Sequence, residues 1–169
     1  MTSCAKLTNN RLVKKKILFV CLGNICRSPA AEGIFKSLLD KAGLQDRFEV
    51  DSAGLYGGHA GSLPDQRMRI HAIKRGYDLN HRSRKVRTDD FDHYDLIIAM
   101  DDNNYHDLRN FSPTIEGERK IVKMIDYVKG FPYYHYIPDP YYQGAEGFEI
   151  VLDLLEDGCK NLLEDLREK

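Results

Sequence analysis

Apolar and polar segments alternate along the chain in a way that predicts strands separated by helices. The first apolar segment is short, continuous and partly β-branched, which is typical of a parallel strand buried on both faces and too short to span a membrane. A later segment alternates between apolar and polar residues before it meets small ones. The predicted strands are Ile17–Val20, Phe48–Gly54, Tyr94–Met100 and Lys120–Met124.

Helical spacing of apolar residues, together with residues that start or stop helices, predicts the intervening helices. In the first helix, Ser28 is expected as N-cap, Pro29 as first residue and Glu32 in the first turn, and Gly43 ends the pattern. The other predicted helices are Asp65–Arg75, a short helical start over Thr88–Asp92, a helix capped by Asp101 and Asp102, and a long amphipathic helix from Gly147.

Strands that alternate with helices predict an α/β protein with a layered sheet, in which ligands bind at the carboxyl ends of the strands. The chain of 169 residues is long enough for one domain with a real core. We expect a polar N-terminal extension over residues 1–13 and a single domain over residues 14–169.

The segment after the first strand has the residue types of an anion-binding loop. Cys21 ends the strand, and Gly23 and Asn24 tolerate positive φ, so the next backbone N–H groups can curl inward. The helix that follows adds partial positive charge, and Arg27 adds a cation that matches two oxygens of a tetrahedral oxyanion. A cysteine in such surroundings loses its proton readily, which makes Cys21 a nucleophile candidate.

A bare Cys-x5-Arg pair is more often a buried cysteine followed by a solvated arginine. Here a strand precedes the pair, a Gly-Asn dipeptide lies inside it and a Ser-Pro helix start follows it. Chance pairing does not explain these three features together, so they favour a functional loop.

A second candidate segment, residues 127–142, is rich in tyrosine and interrupted by proline. Asp139 lies between Pro138 and Pro140, which restrict its backbone and favour its presentation as a general acid. An isolated Asp-Pro is usually only a turn, but the cysteine loop in the same chain favours catalysis. Tyr141 and Tyr142 are then expected to form apolar walls around a phenyl ring.

The amino-acid composition limits where the protein is expected to be located and what it is expected to bind. A formal net charge of -1 gives no general attraction to nucleic acid, and we expect none as a partner. Without a secretory signal or a long apolar stretch, the chain is expected to be cytoplasmic and not inserted in a membrane. The four cysteines, Cys4, Cys21, Cys26 and Cys159, are expected to be reduced thiols.

No cofactor or metal is predicted. The carboxylates between Asp89 and Asp95 invite a metal hypothesis, but helix caps and solvated positions explain them better. No cluster of histidine and cysteine has the spacing of a zinc site.

The loop sequence C-L-G-N-I-C-R-S resembles the phosphate-binding loop of the low-molecular-weight protein tyrosine phosphatases, and D-P-Y-Y from Asp139 resembles their general-acid loop. The resemblance implies a three-layer, flavodoxin-like fold with a four-stranded parallel sheet. It also implies that Ser52 and His81 hold Asn24 in a left-handed conformation and that the Ser28 hydroxyl stabilises the thiolate.

The implied reaction is hydrolysis of phosphotyrosine through a phosphocysteine intermediate, with Cys21 as nucleophile, Arg27 as phosphate clamp and Asp139 as general acid and base. The implied partners are a phosphotyrosine-containing protein and inorganic phosphate as product or inhibitor. The residues predicted to bind substrate are Leu22, Gly23, Asn24, Ile25, Cys26, Ser28, Tyr56, Tyr141 and Tyr142.

Two positions bear on substrate preference. Family members often carry Trp or Tyr where this chain has Gly58. Tyr56 is the candidate to supply the missing aromatic wall of the site. In the protein-arginine-phosphatase branch a Thr usually stands at the position of Ile25, so Ile25 favours phosphotyrosine.

Three other functions remain as alternatives. Thiol-dependent arsenate reductases share the fold and a similar loop, but they relay oxidation to cysteines that this chain lacks between Cys26 and Cys159. A sugar-phosphotransferase subunit typically lacks the arginine. A phosphopeptide-binding module would need the same loop but gains nothing from Asp139 beside the phosphate.

Cys26 lies in the same tight loop as Cys21 and is a candidate to resolve an oxidised nucleophile as a disulfide. The alternative is that Cys26 only packs beneath the loop and contributes its backbone N–H group.

Overall fold

The computed structural model describes residues 13–168, so Met1–Leu12 of the expected extension lies outside the described residues. Four parallel strands form one sheet in the order β2-β1-β3-β4. Helices cover both of its faces, which confirms the predicted three-layer, flavodoxin-like fold. The strands are β1 Lys15–Cys21, β2 Phe48–Gly54, β3 Leu96–Ala99 and β4 Ile121–Lys123.

The helices connect the strands in the predicted order, with one short helix that the apolar pattern did not predict, Ile115–Arg119. None of the helices within residues 13–168 combines the length and apolar character that a bilayer crossing requires. The helices are α1 Arg27–Ala42, α2 Gln66–Lys74, α3 Asp90–His93, α4 Asp102–Phe111, α5 Ile115–Arg119 and α6 Ala145–Arg167, and Gln45–Arg47 and Met124–Tyr127 are 3-10 turns.

The first strand is apolar throughout because it faces two cores. Ile17 and Phe19 point into the core that α1, α2 and α6 cover, whereas Leu18 and Val20 point into the core beneath α3 and α4. All four side chains are fully buried. A strand covered on both faces has no position for a polar side chain, which explains the continuous apolar run.

The start of α1 differs from the prediction. The helix begins at Arg27 with Cys26 as N-cap, and no side chain caps it. Ser28 is therefore inside the first turn, Pro29 is not the first residue, and Glu32 lies beyond the first turn. The Ser28 hydroxyl is unavailable for capping because it bonds within the loop, to Cys21 Sγ and Asn24 Nδ2.

Other predicted boundaries agree with the structure. Gly43 ends α1 with a left-handed φ of 68° and donates to the Asp40 carbonyl. Asp65 caps α2, and Asp101 caps α4 by accepting from the Asn104 N–H group.

In the acidic segment before β3, Asp89 and Asp92 are exposed, as expected for solvated positions, whereas Asp90 and Asp95 bind neighbouring segments. Asp90 is only 3% exposed and accepts hydrogen bonds from the Arg84 guanidinium and from the Arg87 N–H group. Asp95 accepts from the Lys16 N–H group. These carboxylates therefore anchor neighbouring segments, a role that the expectation of caps and solvated positions did not include.

Candidate active site

The loop between β1 and α1 lies at the carboxyl end of the sheet, where the ends of neighbouring strands converge. Cys21 pairs with Gly54 at the end of β2, and Ala99 ends β3 on the other side. Backbone N–H groups of Leu55 and Tyr56 donate to the Cys21 and Leu22 carbonyls. The loop is therefore joined to the polypeptide that follows β2.

Gly54 is required by this close approach. A Cβ atom at position 54 would lie 2.8 Å from the Leu22 carbonyl oxygen and 2.9 Å from the Asn24 nitrogen. Both atoms belong to the loop backbone and not to a flexible side chain. A glycine at the end of β2 thus permits the loop to pack directly on the sheet.

The Cys21 thiol is buried and receives two polar contacts. The Asn24 N–H group donates to Cys21 Sγ over 3.3 Å, and Ser28 Oγ lies 3.1 Å from the same sulfur. Asn24 Nδ2 donates to Ser28 Oγ over 2.8 Å, and the single Ser28 hydroxyl hydrogen has two acceptors in reach, the Cys21 sulfur and the Ala53 carbonyl at 3.4 Å. The sulfur therefore faces the inside of the loop, beside groups that can donate hydrogen bonds to it.

Asn24 holds the loop in its curled shape. Its φ of 56° lies in the left-handed region, at a cost of about 1–3 kcal/mol for a residue other than glycine. All its side-chain groups are bonded: Nδ2 donates to Ser28 Oγ and Ser52 Oγ, and Oδ1 accepts from His81 Nε2 and the Arg84 N–H group. These bonds fix a conformation that the backbone alone would disfavour.

The supports of Asn24 form an ion cluster behind the loop. Ser52 Oγ donates to Glu32 Oε1 over 2.7 Å, and His81 Nδ1 lies 3.2 Å from that oxygen and 3.3 Å from Asp51 Oδ1. Lys36 and Arg84 contact the second oxygens of these two carboxylates. Cations of the chain itself therefore contact both carboxylates.

Within the described part of the chain, Glu32, Asp51 and His81 are the group of three metal-ligand side chains whose ligand atoms lie within 4.8 Å of one another. Lys36 pairs with Glu32, and Arg84 contacts Asp51 while it also binds Asp90. The group supports Asn24 and lies outside the set of residues that line the cavity above Cys21.

Arg27 is held in place from behind. It is 2% exposed, and its Nη1 donates to Asp101 Oδ2 over 2.7 Å and to the Ile137 carbonyl over 2.9 Å. Burial by itself would lower the pKa of Arg27, but the nearby Cys21 sulfur and Asp101 carboxylate raise it overall. The guanidinium is therefore charged and fixed at the base of the site.

Asp139 faces the loop from the segment that precedes α6. Its Oδ2 lies 3.7 Å from Arg27 Nη2, and its side chain is 40% exposed. The Tyr141 N–H group donates to Asp139 Oδ1 over 3.0 Å. The carboxyl is thus oriented by its own loop and remains open to solvent and to a ligand.

A cavity of about 190 Å³ lies between the two loops. Residues of the phosphate loop, Asp139 and aromatic side chains line it. Tyr142 is 92% exposed at the rim. The lining residues are Cys21, Leu22, Gly23, Ile25, Cys26, Arg27, Tyr56, His59, Asp139, Tyr141 and Tyr142.

Tyr56 occupies the space above Gly58. A Cβ atom at position 58 would lie 2.1 Å from the Tyr56 phenol oxygen. The Tyr56 ring also packs edge-on against His59, with ring centroids 5.8 Å apart. An aromatic wall therefore stands here, supplied from position 56 and dependent on the absence of a side chain at position 58.

Cys26 is part of the loop and lines the cavity. It is buried, and burial raises the pKa of its thiol well above the ordinary range, with smaller contributions from Asp65, Cys21 and Asp139. The Cys26 thiol is therefore protonated in this arrangement, whereas a nucleophilic cysteine is a thiolate.

The structure places the predicted residues in two layers. Cys21, Arg27, Asp139 and the tyrosines line the cavity, whereas Asn24, Ser28, Ser52 and His81 lie behind it. His59 and Asp101 were missing from the predicted site residues. Asp101 follows β3 at the same sheet edge as Cys21, a signal that could have found it, and His59 lies among the glycines that follow Tyr56.

Comparison with known proteins agrees with this geometry. A model of the family described as low molecular weight phosphotyrosine protein phosphatase matches residues 16–169. A match over nearly the whole chain defines the class of protein, and the chain belongs to the low molecular weight phosphotyrosine protein phosphatase family. It is accordingly a protein-tyrosine-phosphatase, a hydrolase of phosphotyrosine.

Three relatives illustrate the similarity. A protein of Synechocystis sp. is 48% identical over 151 residues, which cover 89% of this chain and 96% of its own. The crystal structure of a protein tyrosine phosphatase from Entamoeba histolytica has a TM-score of 0.88 at 44% identity and covers 92% of this chain and 98% of its own. DARP, a drosophila arginine phosphatase, has a TM-score of 0.83 at 37% identity, covering 89% of this chain and 97% of its own.

Proposed function

We propose that the protein hydrolyses phosphotyrosine through a phosphocysteine intermediate, with Cys21 as nucleophile, Arg27 as phosphate clamp and Asp139 as general acid and then base. The proposed substrate is a phosphotyrosine-containing protein, and inorganic phosphate is the product and a competitive inhibitor. The arrangement of these three side chains around one cavity supports this mechanism.

In the first step, the Cys21 thiolate attacks phosphorus in line with the departing phenolic oxygen. The sulfur–phosphorus bond forms as the phosphorus–oxygen bond to tyrosine breaks. Loop N–H groups from Leu22 to Arg27 and the Arg27 guanidinium hold the three equatorial oxygens, where the transition state carries its charge. The bonds of Arg27 to Asp101 and Ile137 orient the guanidinium before substrate arrives.

Asp139 donates a proton to the departing oxygen. The conjugate acid of that oxygen has a pKa of about 10, so an unprotonated phenolate is a poor leaving group. In the second step the ionised Asp139 accepts a proton from water as that water attacks phosphorus. The sulfur–phosphorus bond breaks, phosphate is released, and the Cys21 thiolate is restored.

The observation that carries this proposal is the position of Asp139 in the same cavity as Cys21, 3.7 Å from Arg27. A module that only binds phosphopeptides would lose affinity from a carboxylate beside the phosphate. An acid that protonates the leaving group needs that position.

Asp139→Asn is expected to slow hydrolysis of phenyl phosphate by about 10²–10⁴-fold, the usual contribution of a general acid. It should slow an aryl phosphate with an acidic phenol much less, because that leaving group departs without a proton. The measurement is kcat for both substrates at one pH. Asp126→Asn, an exposed carboxylate outside the cavity, is the matched control. Equal losses for the two substrates would remove Asp139 from the acid role.

The aromatic walls favour phosphotyrosine over phosphoarginine. Tyr56 and Tyr141 line the cavity together with Ile25, and a phenyl ring between them gains stacking and apolar contact. Ile25 offers no hydroxyl to a guanidinium. The drosophila arginine phosphatase shows that the fold also serves the other substrate, so the walls and Ile25 carry the distinction here.

Gly58→Ala is expected to raise the KM for aryl phosphates about two- to tenfold, because the new Cβ displaces the Tyr56 ring and removes aromatic contact of about 0.5–1.5 kcal/mol. The kcat should change little, since the wall binds ground state and transition state alike. Gly57→Ala is the matched control, because its Cβ would make ordinary contact, 3.4 Å from Lys85 Cδ. An unchanged KM in Gly58→Ala would show that Tyr56 is not a substrate wall.

Arsenate reduction is less well supported. A relay needs accessible cysteines, and Cys159, which follows Cys26 in the sequence, is fully buried in α6. Its sulfur faces the Ala31 carbonyl in the core, away from the cavity.

We also propose that Cys26 resolves oxidised Cys21. Peroxide converts the Cys21 thiolate to a sulfenic acid, and Cys26 then attacks that sulfur, releasing water and forming a disulfide. The raised pKa of Cys26 keeps it protonated, so the second step needs local opening of the loop and accelerates as pH rises.

Peroxide is therefore expected to inactivate the enzyme reversibly, with protection by inorganic phosphate. Cys26→Ser should recover less activity than wild type when dithiothreitol is added after prolonged oxidation. Peptide mapping of the oxidised wild type should reveal a Cys21–Cys26 link. Full recovery of Cys26→Ser, or the absence of that link, would assign Cys26 a structural role only.

A further inference from the structure

The side chain of Arg67 connects the segment that carries Asp139 to the phosphate loop. Arg67 lies in the first turn of α2, and Asp65, the N-cap of that helix, holds its guanidinium with two hydrogen bonds. Nε donates to Asp65 Oδ1 over 3.1 Å, and Nη2 donates to Asp65 Oδ2 over 2.9 Å. This two-point contact fixes the plane of the guanidinium.

Asp65 is in turn attached to the phosphate loop. Its N–H group donates to the Ile25 carbonyl over 2.8 Å. Burial alone would raise the pKa of the Asp65 carboxyl, but hydrogen bonds from Arg67 lower it below the ordinary value. The carboxylate is therefore ionised at neutral pH, and the Asp65–Arg67 pair is a fixed extension of the loop that contains Cys21.

The other side of Arg67 contacts the general-acid segment. Nη2 donates to the Tyr141 carbonyl over 3.0 Å. The guanidinium lies 5.4 Å from the centre of the Tyr141 ring and 4.9 Å from that of Phe148 in α6. The Tyr141 N–H group donates to Asp139 Oδ1. The backbone of Tyr141 is thus bonded to Arg67 through its carbonyl and to Asp139 through its N–H group.

We propose that Arg67 is a positioning residue that sets the distance between the general acid and the nucleophile. It acts through Tyr141, whose N–H group orients the Asp139 carboxyl, and it is braced against the phosphate loop by Asp65. The inference rests on the proposed role of Asp139. A displacement of about 1 Å in a reacting group can cost about 10²-fold in rate. A contact that fixes the two loops relative to each other therefore has a large effect on the catalytic rate.

Arginine suits this position better than lysine. The planar guanidinium binds Asp65 with two parallel bonds, reaches the Tyr141 carbonyl and stacks on two rings at once. An ammonium group keeps the charge but has neither the fork nor the plane. Arg67→Lys is therefore expected to behave like Arg67→Met.

The test is the dependence of rate on the leaving group. Arg67→Met keeps a long apolar side chain against Phe148, and the residue is about half exposed, so the fold should persist, as checked by thermal unfolding. We expect kcat for phenyl phosphate to fall about tenfold, a fraction of the full general-acid effect, and kcat for an aryl phosphate with an acidic phenol to fall less than about twofold. Inhibition by inorganic phosphate should be unchanged.

Arg69→Met is the matched control. Arg69 lies on the same helix but lines a separate groove with Ile70 and Leu79. The Arg69→Met exchange should leave the ratio of the kcat values for the two substrates at the wild-type value. The same ratio in Arg67→Met and Arg69→Met would overturn the proposal.

A double-mutant cycle separates positioning from general destabilisation. In an Asp139→Asn background, Arg67→Met is expected to cause no further loss with phenyl phosphate, because no proton donor remains to be positioned. A further tenfold loss in that background would assign Arg67 a structural role instead. If Asp139→Asn alone fails to discriminate between the substrates, the proposed acid is wrong. If Asp139→Asn discriminates between the substrates but Arg67→Met does not, the positioning role proposed for Arg67 is wrong.

Discussion

Cys21→Ser is expected to abolish measurable turnover of a chromogenic aryl phosphate while the protein stays folded. Serine has nearly the same shape as cysteine, so Asn24 and Ser28 keep their bonding pattern around it. Its hydroxyl does not ionise at neutral pH and does not form the covalent intermediate. The assay should be run in EDTA, because the proposed mechanism uses no metal, and wild-type turnover should be unaffected by the chelator.

Cys159→Ser provides the matched control for this exchange. Cys159 is buried in α6, and its sulfur contacts the Ala31 carbonyl, which a hydroxyl can also do. This variant should keep the wild-type rate. Wild-type turnover by Cys21→Ser would end the covalent mechanism. If EDTA abolishes wild-type activity and a divalent metal restores it, the reaction depends on a metal, and carboxylates of the chain become the candidate ligands.

Arg27→Lys is expected to lower kcat/KM by at least about 10²–10³-fold, the cost of removing one donor from a site that stabilises transition-state charge. The ammonium keeps the positive charge near Asp101 but has no fork for two phosphate oxygens. The inhibition constant of inorganic phosphate should rise as well, because the same oxygens are bound in the product.

Arg119→Lys, an exposed arginine at the end of α5, is the control for the conservative exchange and should be silent. Circular dichroism and the thermal midpoint show whether Arg27→Lys is folded. A folded Arg27→Lys with unchanged kcat/KM and unchanged phosphate inhibition would contradict the clamp.

The amino-acid sequence by itself indicates the layered fold because its strongest signals are local. The apolar run of β1 predicts a strand covered on both faces, and Gly43 predicts the end of α1. The Cys-x5-Arg spacing and the residue types within it predict a curled loop; Asn24 has the expected positive φ, whereas Gly23 does not. These predictions need no knowledge of distant residues.

The same local reasoning was wrong at the start of α1. Ser-Pro is a common beginning of a helix, and an isolated segment would use the Ser28 hydroxyl as a cap. In the folded chain, Cys21 and Asn24 compete for that hydroxyl, and the helix starts at Arg27 without a side-chain cap. The hydrogen bonds that hold the phosphate loop therefore override the local preference for Ser28 as the N-cap.

Contacts between distant residues decided the rest of the site. Asp101 and Ile137 orient Arg27, and Arg67 meets Tyr141 across 74 positions of sequence. Composition and periodicity identify each of these residues as polar, aromatic or small, but not its partner. The partner is set by the parallel order β2-β1-β3-β4, which brings the ends of separate strands, and the segments that follow them, to one edge of the sheet.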